Sequence, residues 1–290
     1  MKAGPECREC LYKWVYERTA PYLEEAERFS LPVRLDDAID SGIKEYGNLG
    51  LLCNTAVYAA GGPGSCAASF YEEFKQKANR EARRLLPVAR KYMERGRSPQ
   101  ERFERACILA AAGNVSPLGA PSAPFTFPDL VGVTEGRVHG AVMGDAYDII
   151  LHARHILYIT DNAGEIGFDS LVLEAVKEKG AAVSLVVKED PFFEDARMGD
   201  VLHFHLEAVA DEVVTSKGFL TPSGDDGPAG EALAKCDVII AKGTGSFESF
   251  WDSGVGKETI FLLKVKCKPI ARDLGVDEGT IVVKASKSGS

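Results

Sequence analysis

Five short apolar runs in the second half of the chain constrain the fold more than any other feature. They are His155 to Thr160 (HILYIT), Ala182 to Lys188 (AVSLVVK), Asp237 to Ala241 (DVIIA), Thr259 to Val265 (TIFLLKV) and Thr280 to Lys284 (TIVVK). Their length and their β-branched residues read as strands. Because the runs are apolar throughout rather than alternating, each strand must be covered on both faces. Helices packed on both sides of a parallel sheet supply that cover. Between the first two runs, Phe168, Leu171, Val172, Ala175 and Val176 fall on one face of a helix that ends at Gly180. The class is α/β with a Rossmann-like sheet.

The first 130 or so residues read differently. Phe70 to Glu94 is rich in Lys, Arg, Glu, Ala and Leu. Ser98-Pro99-Gln100-Glu101 has the form of a helix start, and Gly113 that of its stop. Phe103, Cys107 and Ala110 recur at helical spacing between them. Gly61 to Gly64 and Val115 to Pro128 read as loops, and Ser286 to Ser290 as a frayed end. The expected organisation is a mainly helical N-terminal subdomain over 1–130 and an α/β domain over 131–290. No apolar run of about 18 residues occurs, so no membrane span is expected. The opening residues lack the apolar core of a secretory signal, so the expected location is cytoplasmic. A net charge of −9 argues against a broad nucleic-acid surface. It is compatible with a small phosphorylated ligand, because a metal and a few lysines reverse the field inside one cleft. Nothing in the sequence fixes an oligomeric state.

The sharpest local feature is the first run passing into Asp161-Asn162-Ala163-Gly164-Glu165. A carboxylate and an amide oxygen follow the strand at once, and ligands bind beyond the carboxyl ends of strands in such sheets. Hard oxygen donors suit Mg²⁺ or Mn²⁺ better than zinc. The same residues would also serve as helix caps. The second run ends at Lys188, and Asp195 follows closely enough to supply a third oxygen if the strands are neighbours. The third run leads into Lys242-Gly243-Thr244-Gly245-Ser246-Phe247-Glu248, a glycine-rich loop fit to cradle an anion beside a lysine. It matches neither the P-loop nor the dinucleotide fingerprint.

With these motifs the chain resembles the damage-control metal-dependent phosphatases. The resemblance rests on LYITDNAGEIGFDSLVLEAV (157–176), VVKEDPFFEDARMGDV (186–201), VIIAKGTGSFES (238–249) and LLKVKCKPIARDLGV (262–276). Cys7-Arg8-Glu9-Cys10 and Gly113-Asn114 are similar to the family's prokaryotic branch. The resemblance implies a three-layer α/β/α domain with an added helical part. It implies a divalent metal (Mn, Co, Ni or Mg) on Asp161, Asn162 and Asp195, and a phosphate on Lys242. Two motifs depart from the family pattern. Glu194-Asp195-Ala196-Arg197 stands where many members have Asn-Asp-Ala-Thr, and Val115-Ser116-Pro117 follows Asn114 where many have Ile-Asp.

The expected activity is hydrolysis of a small phosphorylated metabolite by the α/β domain. Glu165 and Asp169 lie four apart on the following helix and so share a face. One of them would orient or deprotonate water, with a solvated helix position as the alternative for Asp169. Gly243, Asn114, Glu248 and Lys266 are candidate substrate contacts, and Lys188 compensates charge. Cys7-x-x-Cys10 has zinc-ligand spacing and would hold a second, structural metal only if Cys53, Cys66 or a histidine joins it. His203 and His205 read as ordinary residues. Two other readings compete: a nucleotide-binding transferase module in which Asp161 is only a cap, and a non-catalytic metal-binding or redox protein built on the cysteine pair.

Overall fold

The computed structural model describes residues 1–66, 69–114, 126–223 and 227–286. The expected loop from Val115, the Val115-Ser116-Pro117 departure, the side chain of Cys66 and the end beyond Ser286 lie outside the described residues. Seven strands form one sheet: β1 (Gly140–Met143), β2 (His155–Ile159), β3 (Ala182–Lys188), β4 (Glu212–Ser216), β5 (Val238–Lys242), β6 (Glu258–Lys264) and β7 (Ile281–Ser286). Their order is β1-β7-β6-β5-β2-β3-β4.

All five expected strands form, with ends shifted by at most two residues. The expectation of a wholly parallel sheet is corrected. β6, β5, β2, β3 and β4 are parallel, whereas β7 runs antiparallel to β6, and β1 pairs parallel with β7. The link between β6 and β7 leaves and returns at one end of the sheet. Val265 N–H donates to Thr280 O (2.9 Å) and Gly279 N–H to Val265 O (2.7 Å), which closes the link like the base of a hairpin. An apolar run encodes burial on both faces, not direction. β1 and β4, which the sequence reading did not name, are the two edges. β1 has no fully buried residue, and in β4 only Val214 and Ser216 are buried, so neither shows an apolar run.

Side chains alternate along each central strand between two cores. Ile156, Tyr158, Ile240 and Leu262 face one, and Leu157, Ile159, Ile239 and Leu263 face the other. Helices Ser69–Glu94, Pro99–Ala112, Pro128–Thr134 and Ile166–Lys177 cover the first face. Helices Pro5–Thr19, Glu25–Glu45, Leu49–Ala59, Pro228–Lys235, Gly243–Phe250 and Lys268–Leu274 cover the second. Three layers result. The helices before residue 130 lie on both faces, so the two halves of the chain share both cores.

Local signals set the helix that delivers Asn114. Ser98 Oγ accepts from Glu101 N–H (3.1 Å), Pro99 takes the first turn, and the helix ends at Ala112. Gly113 follows because this helix crosses Ile166–Lys177 closely: a Cβ there would stand 3.0 Å from Phe168. Asn114 is thereby fixed beside the end of β2.

Candidate active site

The chain leaves β2 toward β3 and β4 on one side, and β5 and β6 lie on the other. β2 is therefore where the strand order reverses, the usual place for a ligand crevice in such sheets. Ile159 stands opposite Val186 and Ala241, so the segments after β2, β3 and β5 open on one rim.

The first two segments are joined directly. Asn162 and Asp195 form an antiparallel bridge, with Ala163 N–H donating to Glu194 O (2.9 Å) and Ala196 N–H to Asp161 O (2.8 Å). Residues opposed in such a pair project from the same face, with Cβ atoms about 5 Å apart. Asn114 Nδ2 donates to Asp161 Oδ2 (2.5 Å) and to both Glu165 oxygens (3.2 Å). Asn162 Nδ2 donates to Glu165 Oε1 (2.6 Å). Lys242 Nζ donates to Asp169 Oδ1 (2.8 Å) and Glu165 Oε2 (3.2 Å), and Lys188 Nζ pairs with Asp195 Oδ2 at 3.3 Å. Asp169 is fully buried rather than solvated. Asp161, Asn162, Glu165, Asp169, Asp195, Asn114, Lys188 and Lys242 thus belong to one connected cluster. Half-buried Lys266 and Glu248 border it: both act electrostatically with Asp161.

The third segment corrects an expectation. Lys242-Gly243-Thr244-Gly245 is not a loop; a helix, Gly243–Phe250, starts directly at the end of β5, and the side chain at its N-cap, Lys242, makes no capping hydrogen bond. Gly243 has φ +78°, and a Cβ there would lie 1.9 Å from Asp161 Oδ2. Glycine is required twice over, by conformation and by the carboxylate against it. Gly243→Ala is expected to displace Asp161 and to cost about 1–3 kcal/mol in stability. Chemical denaturation together with a divalent-cation titration checks this; a variant equal to wild type in both contradicts the packing.

Asp161 Oδ1, Asn162 Oδ1 and Asp195 Oδ1 each lack a hydrogen-bond donor among the described residues. Two carboxylates and an amide, each with one oxygen to give, fit a hard divalent cation. Among the described residues no group of three or more His, Cys, Asp or Glu is arranged to hold a metal ion. That set counts only two of these three donors. Cys7 and Cys10 likewise join no such group among the described residues, and the Cys66 side chain lies outside them. Cys7 is buried and its Sγ accepts from Gly4 N–H (3.3 Å), while burial raises the thiols of Cys7, Cys10 and Cys53 above the ordinary value. Such thiols are poor nucleophiles. His203 lies in a short helix and His205 follows it with φ +57°.

Burial dominates the electrostatics. It pushes Glu165 up to about 8 against the opposing charge of Lys242, and Asp195 up to about 7 against Lys188. Asp161 and Asp169 are also raised by burial, and Glu248 to about 7. Burial works against the charge of Lys242, but Asp169 and Glu165 outweigh it and hold the ammonium above the usual lysine range. The folded state thus retains protons that the unfolded chain gives up near pH 4. The stability these acids contribute is complete below about pH 4 and lost as pH rises through 7–8. Metal-free protein is expected to melt a few degrees lower at pH 8.5 than at pH 5.5, and a saturating divalent cation to reverse the trend. Thermal melts with and without a chelator test the sign.

Supporting residues came from segments the sequence reading had not connected to the site. Arg18 pairs with Glu194 at 3.0 Å in the interior, beside the Asn162–Asp195 bridge. Phe192 and Phe219 place their rings about Lys188 Nζ, 5.3 and 5.1 Å from the centroids. Asn54 holds Phe219 at both backbone polar atoms (2.8 and 2.9 Å). No local motif marks these partners.

Fold and cluster together define a three-layer α/β protein with an oxygen-donor site at the switch point of its sheet and a helix start beside it. The chain belongs to the family of the damage-control phosphatase ARMT1-like domain, whose model matches residues 40–282. A damage-control phosphatase of Archaeoglobus fulgidus is 30% identical over 295 residues, covering 98% of this chain and 99% of that protein. A damage-control phosphatase of Pyrococcus horikoshii is 30% identical over 229 residues, 74% of each chain. The crystal structure of a DUF89 family protein from Pyrococcus horikoshii superposes with a TM-score of 0.75 at 26% identity, covering 99% of this chain and all of that one. No helix among the described residues is long and apolar enough to cross a membrane.

Proposed function

We propose that this protein is a divalent-metal-dependent phosphatase that hydrolyses small phosphorylated metabolites, including damaged ones, in the cytoplasm. One observation carries the reading: Asn162 and Asp195 are bridged beside Asp161, and each of the three keeps an oxygen with no hydrogen-bond donor among the described residues. Asp161, Asn162 and Asp195 are the ligands in this reading. When bound there, a divalent cation supplies Lewis-acid stabilisation of a phosphoryl oxygen and lowers the pKa of water, which Mn, Co, Ni and Mg all do to differing degrees.

The chain's own groups account for the rest. The N–H groups from Gly243 onward, which the N-cap Lys242 does not cap, would meet an anion with the positive end of the helix. Lys242 is fully buried and gives two of its three N–H donors to Asp169 and Glu165; its charge offsets the carboxylates when substrate adds its own, and its third N–H reaches a phosphoryl oxygen only if substrate binding opens a path to it. Asn114 keeps Asp161 and Glu165 in place. Glu165, raised to about 8, is poised to exchange a proton near neutrality and is the preferred group for orienting water. Asp169, buried against Lys242, holds that lysine. Glu248 and Lys266, on the border of the cluster, contact the non-phosphate part of the substrate.

A hydrolysis screen over sugar phosphates, phosphopantetheine derivatives and p-nitrophenyl phosphate, each with Mn²⁺, Co²⁺, Ni²⁺ and Mg²⁺, tests the reading. Metal-stimulated release of phosphate is expected. Tight nucleotide binding with no hydrolysis under any metal would instead favour the transferase alternative.

A further inference from the structure

A second connection joins the segments that carry Asp161 and Asp195, built from side chains that are not among the proposed ligands. Asn79 and Lys75 lie one turn apart on Ser69–Glu94 and share a face. Asn79 Oδ1 accepts from Gly164 N–H (2.7 Å), two residues after Asn162. Asn79 Nδ2 donates to Asp200 Oδ1 (2.7 Å), and Asp200 Oδ2 accepts from Arg197 N–H (2.9 Å), two residues after Asp195. Lys75 Nζ pairs with Asp200 Oδ2 at 3.0 Å. All three side chains are buried: Lys75 is 4%, Asn79 7% and Asp200 5% exposed.

An acidic residue in the first turn of a short helix is ordinarily a cap, and the Asp200–Arg197 bond is one. Capping does not require the other oxygen of Asp200 to be met by a buried amide, nor that amide to reach across to Gly164. It also gives no reason to bury a lysine at the same carboxylate, a costly arrangement unless the group is held for a purpose. Gly164 has φ +82°, and a Cβ there would stand 2.8 Å from Ala78, so this turn packs closely on the helix that carries Asn79. The backbone bridge at Asn162–Asp195 joins the segments at one point, and the chain Gly164–Asn79–Asp200–Arg197 joins them at a second. Two points fix relative orientation where one leaves a hinge.

We infer that Asn79 and Asp200 are positioning residues that set the distance between the oxygen donors of the first segment and Asp195, and so set cation affinity. The inference rests on the reading of Asp161, Asn162 and Asp195 as ligands, and its test separates the two. Mn²⁺ binding to the purified full chain is measured by calorimetry for Asn79→Ala, Asp200→Ala and the double variant, with amide exchange at Gly164 followed in the metal-free proteins. Each single variant is expected to bind Mn²⁺ about 10- to 100-fold more weakly. The double variant is expected to be little worse than the poorer single, because the two act as one connection. Gly164 is expected to lose exchange protection in all three. Should Asp200→Ala fail to fold, Asp200→Asn keeps the volume and one acceptor and is expected to fall between. A folded Asn79→Ala or Asp200→Asn that binds Mn²⁺ within twofold of wild type and keeps Gly164 protected overturns the inference. A wild-type protein that binds no Mn²⁺ sinks the ligand reading. The exchange at Gly164 then decides alone whether the clamp exists.

Discussion

Asp161→Asn is expected to lower metal-stimulated phosphatase turnover by about 100- to 1000-fold while leaving the metal-free fold as stable as wild type or slightly more so. The two halves of this expectation come from the same surroundings. A cation held as proposed would supply several kcal/mol of charge stabilisation, and every 1.36 kcal/mol is tenfold in rate. The carboxylate lies against Gly243 and accepts from Asn114, and an asparagine keeps both the shape and an acceptor for Asn114 Nδ2. Burial already works against the charge of Asp161, so neutralising it removes a cost from the metal-free state. Turnover and melting temperature are measured on one preparation. Unchanged turnover on p-nitrophenyl phosphate with any of the four metals defeats the assignment of this ligand.

The second large effect is at Lys242. Its side chain is fully buried and its ammonium is hydrogen-bonded to Asp169 and Glu165. Removing one partner of a buried ion pair costs about 3–5 kcal/mol, because the remaining charge has no solvent to turn to. Lys242→Met is therefore expected to unfold at a melting temperature lower by about ten degrees at pH 8. The loss has a signature that cavity formation lacks. As pH falls below about 8, Glu165 takes up a proton, and Asp169, also raised by burial, follows; neither then needs the ammonium, so the gap to wild type narrows. Lys242→Met combined with Asp169→Asn is expected to recover part of the loss for the same reason. A Lys242→Met variant equally destabilised at pH 5.5 and pH 8 would point to packing rather than charge.

Legibility in the sequence followed the range of the interaction. β2, β3, β5 and β6 each carry an uninterrupted apolar stretch because each lies inside the sheet, and a strand covered on both faces has no polar side to write. β1 and β4 are edges, with half their surface open, and their residues carry no such stretch. The helix at Pro99–Ala112 was readable from its cap and its proline, both local. The glycine-rich stretch after β5 suggests a loop that cradles an anion, and Gly243 and Gly245 do lower helix propensity. In the structure both are forced by neighbours, Asp161 against one and Phe219 against the other, and packing overrides the propensity.

The sequence by itself determined the kinds of atom at the site: hard oxygens beyond one strand, a carboxylate beyond the next and an ammonium beyond a third, each fixed by its place at a strand end. Tertiary structure alone decided the antiparallel edge at β7, the bridge between Asn162 and Asp195, and the pairing of Lys242 with Asp169 and Glu165. It also brought Arg18, Asn79 and Asn114 from the helical half to the rim of the sheet. The physical reason is that a motif states what a residue offers within a few positions along the chain. A buried charge or amide is settled by whatever long-range packing brings within about three ångströms of it, and no local pattern records that choice.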